Sequence, residues 1–176
     1  MQKKQGFLMS PRTLTFVAVL VAMQVICTRF LSIRLGDTLR LSLGFVPTAT
    51  AGMLFGPLPA ALVGGLGDVV GFFLFPSGTY FPGFTLTAAV GGLIYGFLLY
   101  KKEDSLVRIL LCKLLIDVVC NVLLNTLWLD LLYGKGFLAI LPARLLKNAL
   151  QYPVDVALLF SLGRLIKHLP ASLRLR

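Results

Sequence analysis

Charge is what this sequence has least of. Only 14% of its 176 residues are charged, and just seven of those are acidic. A soluble domain carries about 25% charged residues. There is too little polar surface here to cover a water-facing globule. Histidine occurs once, at His168, and cysteine three times, at Cys27, Cys112 and Cys120. The cysteines sit in apolar stretches without C-x-x-C spacing. That pattern suits small buried hydrophobes and argues against a disulfide framework or a metal site. No G-x-S-x-G, H-E-x-x-H or Walker pattern occurs, so the sequence offers no catalytic signature and implies no cofactor.

What is there is apolar: 57% of the residues are hydrophobic. Residues 41–67 and 69–100 contain no Asp, Glu, Lys or Arg. A membrane span needs roughly 20 mostly apolar residues. The fold class expected is an all-α integral membrane protein, a six-helix transmembrane bundle forming one membrane domain over 1–176 with no soluble part. The helices are expected at about 13–31, 43–55, 60–75, 84–100, 106–129 and 142–169. Gly56-Pro57-Leu58-Pro59 reads as a turn, residues 32–42 and 130–141 as loops, and Pro142 as a first-turn proline. Helix two is short and could be broken at Pro47. The basic start followed by an apolar run resembles a signal peptide. The run is long for one and no small-residue cleavage site follows it, so it reads as a retained helix.

The net charge of +10 would suggest nucleic acid in a soluble protein. Here the basic residues lie between apolar runs, where they act first as topology signals. With six spans, one side collects Lys3, Lys4, Arg12, Lys101, Lys102, Arg108, Arg164, Lys167, Arg174 and Arg176. The other collects Arg29, Arg34, Arg40, Lys135, Arg144 and Lys147, offset by Asp37 and Asp130. The more basic side holds both termini, which places them in the cytoplasm. The six outer cations run against the usual bias and call for a reason other than topology.

Polar side chains at membrane depth are costly and usually functional. Lys113, Asp117, Asn121 and Asn125 follow each other at four-residue steps, on one helix face. Lys113 and Asp117, with Asp68, read as an ion cluster near the inner side. Arg144, Asn148, Gln151 and Asp155 form a stripe on the last helix, with Lys147 beside it. Gln24, Thr28 and Arg29 end the first helix, Arg40 lies in the first outer loop, and Tyr80, Phe81 and Phe84 belong to the second. Together these describe an outward-facing pocket with cations, amides and aromatic walls. Arginine can hold carboxylate in a bidentate pair, and aromatic faces supply stacking. The pocket suits an anionic ligand with a flat ring system. Small residues recur every four positions, as at Ala18 and Ala22, Gly52 and Gly56, Ala60 and Gly64, and Ala88, Gly92 and Gly96. Such rows let helices approach closely in lipid, within the bundle or against another subunit.

These residues carry a family resemblance. Arg40-Leu41-Ser42-Leu43-Gly44-Phe45-Val46-Pro47, Gly64-Gly65-Leu66-Gly67-Asp68, Tyr80-Phe81-Pro82-Gly83-Phe84-Thr85-Leu86 and Gly91-Gly92-Leu93-Ile94-Tyr95-Gly96 make the chain similar to the substrate-binding S components of energy-coupling factor (ECF) vitamin transporters, most closely the folate-specific group. The resemblance implies a high-affinity binding subunit in the cell membrane of a bacterium. It implies as partners a transmembrane coupling subunit, docked at the Ala18–Ala22 row, and two ATP-binding cassette ATPases that hydrolyse the ATP. It implies delivery by toppling of the S component within the bilayer. Placement then assigns Arg29, Arg40, Arg144 and Lys147 to the folate carboxylates, Asn121, Asn125, Asn148 and Gln151 to the pterin, and Tyr80, Phe81 and Phe84 to stacking. Two alternatives stand beside this. One is an S component for another vitamin such as pantothenate or riboflavin. The other is a membrane enzyme acting on phosphorylated lipid, disfavoured because Asp68 and Asp117 are expected on the side opposite the cations.

Overall fold

The computed structural model describes residues 11–35, 39–76, 78–102, 105–134 and 136–168. The topology cations Lys3, Lys4, Lys135, Arg174 and Arg176 lie outside the described residues, as do the side chains of Arg12, Arg34 and Arg40.

In chain order the elements are α1 (Pro11–Arg29), β1 (Ser32–Leu35), β2 (Leu39–Ser42), α2 (Phe45–Phe55), α3 (Pro57–Leu74), α4 (Pro82–Leu99), α5 (Leu106–Ile116), a π-helix (Asp117–Leu124), α6 (Asn125–Tyr133) and α7 (Phe137–His168). α5, the π-helix and α6 run on as one rod, so the described helices form six rods. Three helices, α3, α4 and α7, are long and apolar enough to cross a membrane.

Several limits differ from the sequence reading, each for a local reason. Gly56-Pro57-Leu58-Pro59 is no turn beyond Gly56 itself. Gly56 takes φ 93°, and α3 starts at once, because a first-turn proline lacks only an N–H that would have no helical partner. Pro82 starts α4 in the same way. Pro47 lies in the first turn of α2, so α2 is short but unbroken. Asp130 belongs to α6 and not to a loop: Gly134 caps that helix in the left-handed conformation, and the Asp130 carboxylate accepts the Gly136 N–H at 2.9 Å. Pro142 does not begin the last helix but sits inside it, as does Pro153. Residues 32–42, expected as a loop, hold an antiparallel hairpin that pairs Ser32 with Ser42 and Leu35 with Leu39. The period-two alternation of SIRL and LRLS is a strand pattern.

The small-residue rows of α2, α3 and α4 are used inside the bundle. A methyl group on Gly64 would run into the Ala88 carbonyl, one on Gly92 into the Ala60 carbonyl, and one on Gly96 into the Pro57 backbone. α3 and α4 therefore pack backbone to backbone. Ala18 and Ala22 differ: both are exposed on the outside of α1. Two clusters form the core. Val17, Leu20, Ala51, Phe55, Ala60 and Val63 join α1, α2 and α3. Tyr95, Ile109, Cys112, Ile116, Cys120, Val156 and Leu159 join α4, the α5–α6 rod and α7.

Candidate functional site

The polar residues converge on one cavity of about 440 Å³ between the rods. α1 contributes Gln24, Thr28 and Arg29. Glycines on α3 make room for two of these: a methyl on Gly67 would strike Gln24, and one on Gly71 would come within 3.1 Å of the Arg29 guanidinium. Gln24 Oε1 accepts a hydrogen bond from Thr48 on α2 at 3.1 Å. α4 contributes Phe84, Thr87, Ala88, Gly91 and Tyr95, and α7 contributes Arg144, Lys147, Gln151 and Asp155.

Deep in the cavity lies a buried ion cluster. Lys113 Nζ stands 2.7 Å from Asp117 Oδ1 and 2.8 Å from Asp155 Oδ2. The Asn121 amide donates to Asp117 at 2.7 Å, and the Gln151 amide donates to Asp155 at 3.2 Å. One cation between two carboxylates leaves a formal negative charge, and removal from water makes such a cluster expensive unless its remaining oxygens are satisfied. Asp117 Oδ2, Gln151 Oε1 and the Tyr95 hydroxyl are buried and form no hydrogen bond among the described residues. Buried polar atoms are almost always paired, so these three are groups a bound molecule could satisfy.

Nearer the end that carries the hairpin stand Arg29, Arg144 and Lys147. The π-helix helps to build this level. A ladder returning from five-residue to four-residue spacing skips one carbonyl, and π segments are frequent at functional sites. The Asn125 N–H bonds the Cys120 carbonyl, and the Asn121 carbonyl accepts from Arg144 Nη1 at 3.0 Å. The backbone irregularity on one rod thus holds a cation from another. Along α7 the backbone rises roughly 16 Å from Arg144 to Asp155 at 1.5 Å per residue, yet Asn121 links the two ends, with its carbonyl on Arg144 and its amide on Asp117 of the ion cluster.

Of the residues proposed from sequence, Arg29, Phe84, Asn121, Asn125, Arg144, Lys147 and Gln151 line this cavity. Asn148 is buried but is not in the lining. Tyr80 packs instead on Phe72, with ring centroids 5.0 Å apart, and its hydroxyl meets that of Thr85 at 3.2 Å. Phe81 packs against Trp128 with the rings tilted and their centroids 5.6 Å apart. Two further expectations are corrected. Asp68 is not the third member of the Lys113 cluster: it accepts from Thr85 at 2.7 Å, and Asp155 takes that place. Nor do Asp68 and Asp117 lie away from the cations: Asp68 lines the same cavity as Arg29 and Arg144, and Asp117 is held by two lining residues, Lys113 and Asn121, the second of which also binds Arg144. Among the described residues no group of three His, Cys, Asp or Glu could hold a metal ion. Tyr95 and Gly91 were missed, because neither stands out within a long apolar run.

A bundle of apolar helices around a cavity lined by charged side chains defines a membrane-embedded solute-binding protein. A model of the family described as ECF-type riboflavin transporter, S component, matches residues 8–164. The folate transporter FolT of Clostridium novyi is 40% identical over 154 residues, covering 88% of this chain and 89% of that protein. FolT of Leuconostoc mesenteroides is 29% identical over 166 residues, with 89% and 88% covered. Among solved structures, FolT bound with folic acid matches with a TM-score of 0.83 and 38% identity, over 88% of this chain and 94% of that one. An S component for biotin matches with a TM-score of 0.71 at 19% identity, over 94% and 96%, and so shares the fold. The chain belongs to the S components of ECF-type transporters. It is a transport subunit and not an enzyme, which removes the lipid-enzyme alternative.

Proposed function

We infer that this S component binds folate in the cavity and passes it to the rest of an ATP-driven uptake transporter. One observation carries the reading: a single cavity brings the cations Arg29, Arg144 and Lys147 together with Lys113 and Asp155 of an acceptor-rich ion cluster. Folate has the matching polarity. Its glutamate end carries two carboxylates, which suit Arg29, Arg144 and Lys147. Its pterin edge carries N–H donors and a carbonyl, which suit Asp117, Asp155, Gln151, Tyr95 and Lys113. Phe84 offers a stacking face. The relatives named FolT and the structure of FolT with folic acid support the same ligand.

The partners in this reading are a transmembrane coupling subunit and two ATP-binding cassette ATPases, with the exposed Ala18 and Ala22 as the docking row. Both termini lie in the cytoplasm, the cell membrane is that of a bacterium, and the S component topples in the bilayer to release its ligand. Equilibrium dialysis of the purified chain in detergent tests the ligand. Saturable folate binding in the micromolar range or below is expected, and its absence overturns the reading. A second reading, another vitamin, is favoured by one finding: the matching family model is named for riboflavin. The cation level argues against that neutral molecule. Displacement of bound folate by riboflavin or pantothenate at comparable concentration would replace the first reading with the second.

A further inference from the structure

Glycine inside a helix is destabilising relative to alanine, so a helical glycine needs a reason. Along α4 packing supplies the reason at Gly83, Gly92 and Gly96. A methyl group there would collide with the Phe81 and Trp128 rings, the Ala60 carbonyl and the Pro57 backbone respectively. Gly91 is different. It is buried, yet a methyl group on it would meet only Cys120 Sγ, at an ordinary contact distance of 3.8 Å. The protein itself leaves room for alanine at this position. That room is the cavity, which Gly91 lines.

The neighbours of Gly91 on the same stripe give the space a shape. Phe84, Ala88, Gly91 and Tyr95 follow each other at four-, three- and four-residue steps, so they share one face of α4, and all four line the cavity. The stripe is aromatic at both ends and small in the middle. It forms a shallow trough floored by backbone and one methyl group. A flat molecule can lie against such a floor, and a branched or puckered one gains less contact.

We propose that Gly91 is a specificity-determining position, kept free of a side chain so that a planar heterocycle of the ligand lies against the α4 backbone between Phe84 and Tyr95. The proposal rests on the folate reading and deepens it: the heterocycle is then the pterin. The class of ligand selected is a planar fused ring carrying an anionic tail. A methyl group at Gly91 would hold the ring off the helix and out of register with the acceptors of the ion cluster.

The test uses the full chain in detergent, with folate affinity measured by calorimetry and stability by thermal melting. The variants are Gly91→Ala and Gly65→Ala. Gly65 is a matched control on α3: a methyl there would also meet only ordinary contacts, Ala89 at 3.6 Å and Thr85 at 4.0 Å, and Gly65 is not in the cavity lining. Gly91→Ala is expected to melt at or above the wild-type temperature while folate binding weakens roughly tenfold or more, the usual scale of an overpacked site. Gly65→Ala is expected to keep wild-type affinity. Folate affinity of Gly91→Ala within about twofold of wild type overturns the proposal. So does a clear loss of thermal stability in Gly91→Ala, since Gly91 would then be a packing glycine like Gly92. A wild-type chain that binds no folate overturns the functional reading instead, and the pterin assignment falls with it.

Discussion

Lys113→Met is the sharpest test of the buried ion cluster. The lysine is 4% exposed and sits between two carboxylates at 2.7 and 2.8 Å, with Asp117 6% and Asp155 1% exposed. Removing it leaves two buried carboxylates without a salt-bridge partner among the described residues. Breaking a buried pair in this way costs about 3–5 kcal/mol. The Asn121 and Gln151 amides still donate to the carboxylates, which favours the lower end of that range. For a chain of this size each kcal/mol moves the melting temperature by about 2–4 °C, so Lys113→Met should melt roughly 6–20 °C below wild type. The triple change Lys113→Met, Asp117→Asn, Asp155→Asn removes every charge of the cluster and should recover most of the loss, because a neutral, well-filled replacement for a buried ion group is often as stable as the original. Both variants should lose folate binding. The assay is the monomer peak remaining on size exclusion after heating in detergent. A Lys113→Met chain that melts within about 2 °C of wild type, or a triple variant less stable than the single one, would show that the cluster does not carry the energetics assigned to it.

Other expectations follow from the same geometry. Arg144→Glu puts a negative charge at the cation level and removes the donor to the Asn121 carbonyl; dialysis should show folate affinity reduced about a hundredfold or more, and unchanged binding would place the carboxylate site elsewhere. Ala18→Leu with Ala22→Leu adds bulk only to the exposed face of α1; folate binding by the isolated chain should persist while folate uptake by cells expressing the whole transporter falls to background. Gly92→Leu drives a side chain into the Ala60 carbonyl, and should yield little monodisperse protein, in contrast to Gly91→Ala.

Much of this architecture is legible in the chain. Long uncharged runs mark the helices, because a continuous apolar run without strand alternation can satisfy its backbone in lipid only as a helix. The polar positions on the α5–α6 rod and on α7 mark the cavity, because a polar group in a bilayer has to face the inside. Other features are hidden for physical reasons. A proline beside a glycine reads as a break, yet in the first turn of a helix it costs nothing, and Pro57 and Pro82 both use that exception. The π-helix leaves no trace in a row of polar residues four apart, because Asp117 and Asn121 still meet across the wider turn. Asn148 shows how narrow the margin is. At 100° per residue it lies 40° from Arg144 on one side and Lys147 lies 60° away on the other, and the cavity opens toward Lys147. Asp68 cannot be placed from its own helix at all, since its partner Thr85 is 17 residues on, past the loop between α3 and α4.

Trp128 has a practical consequence. It is the chain's single tryptophan, and its indole N–H donates to the Thr87 hydroxyl at 2.9 Å. Thr87 lines the cavity. One fluorophore therefore sits one hydrogen bond away from the cavity lining. The emission of the unlabelled protein should change as the cavity fills, with a signal free of contributions from any other indole. A titration read in this way would follow occupancy in detergent, in vesicles and during turnover on a single optical scale.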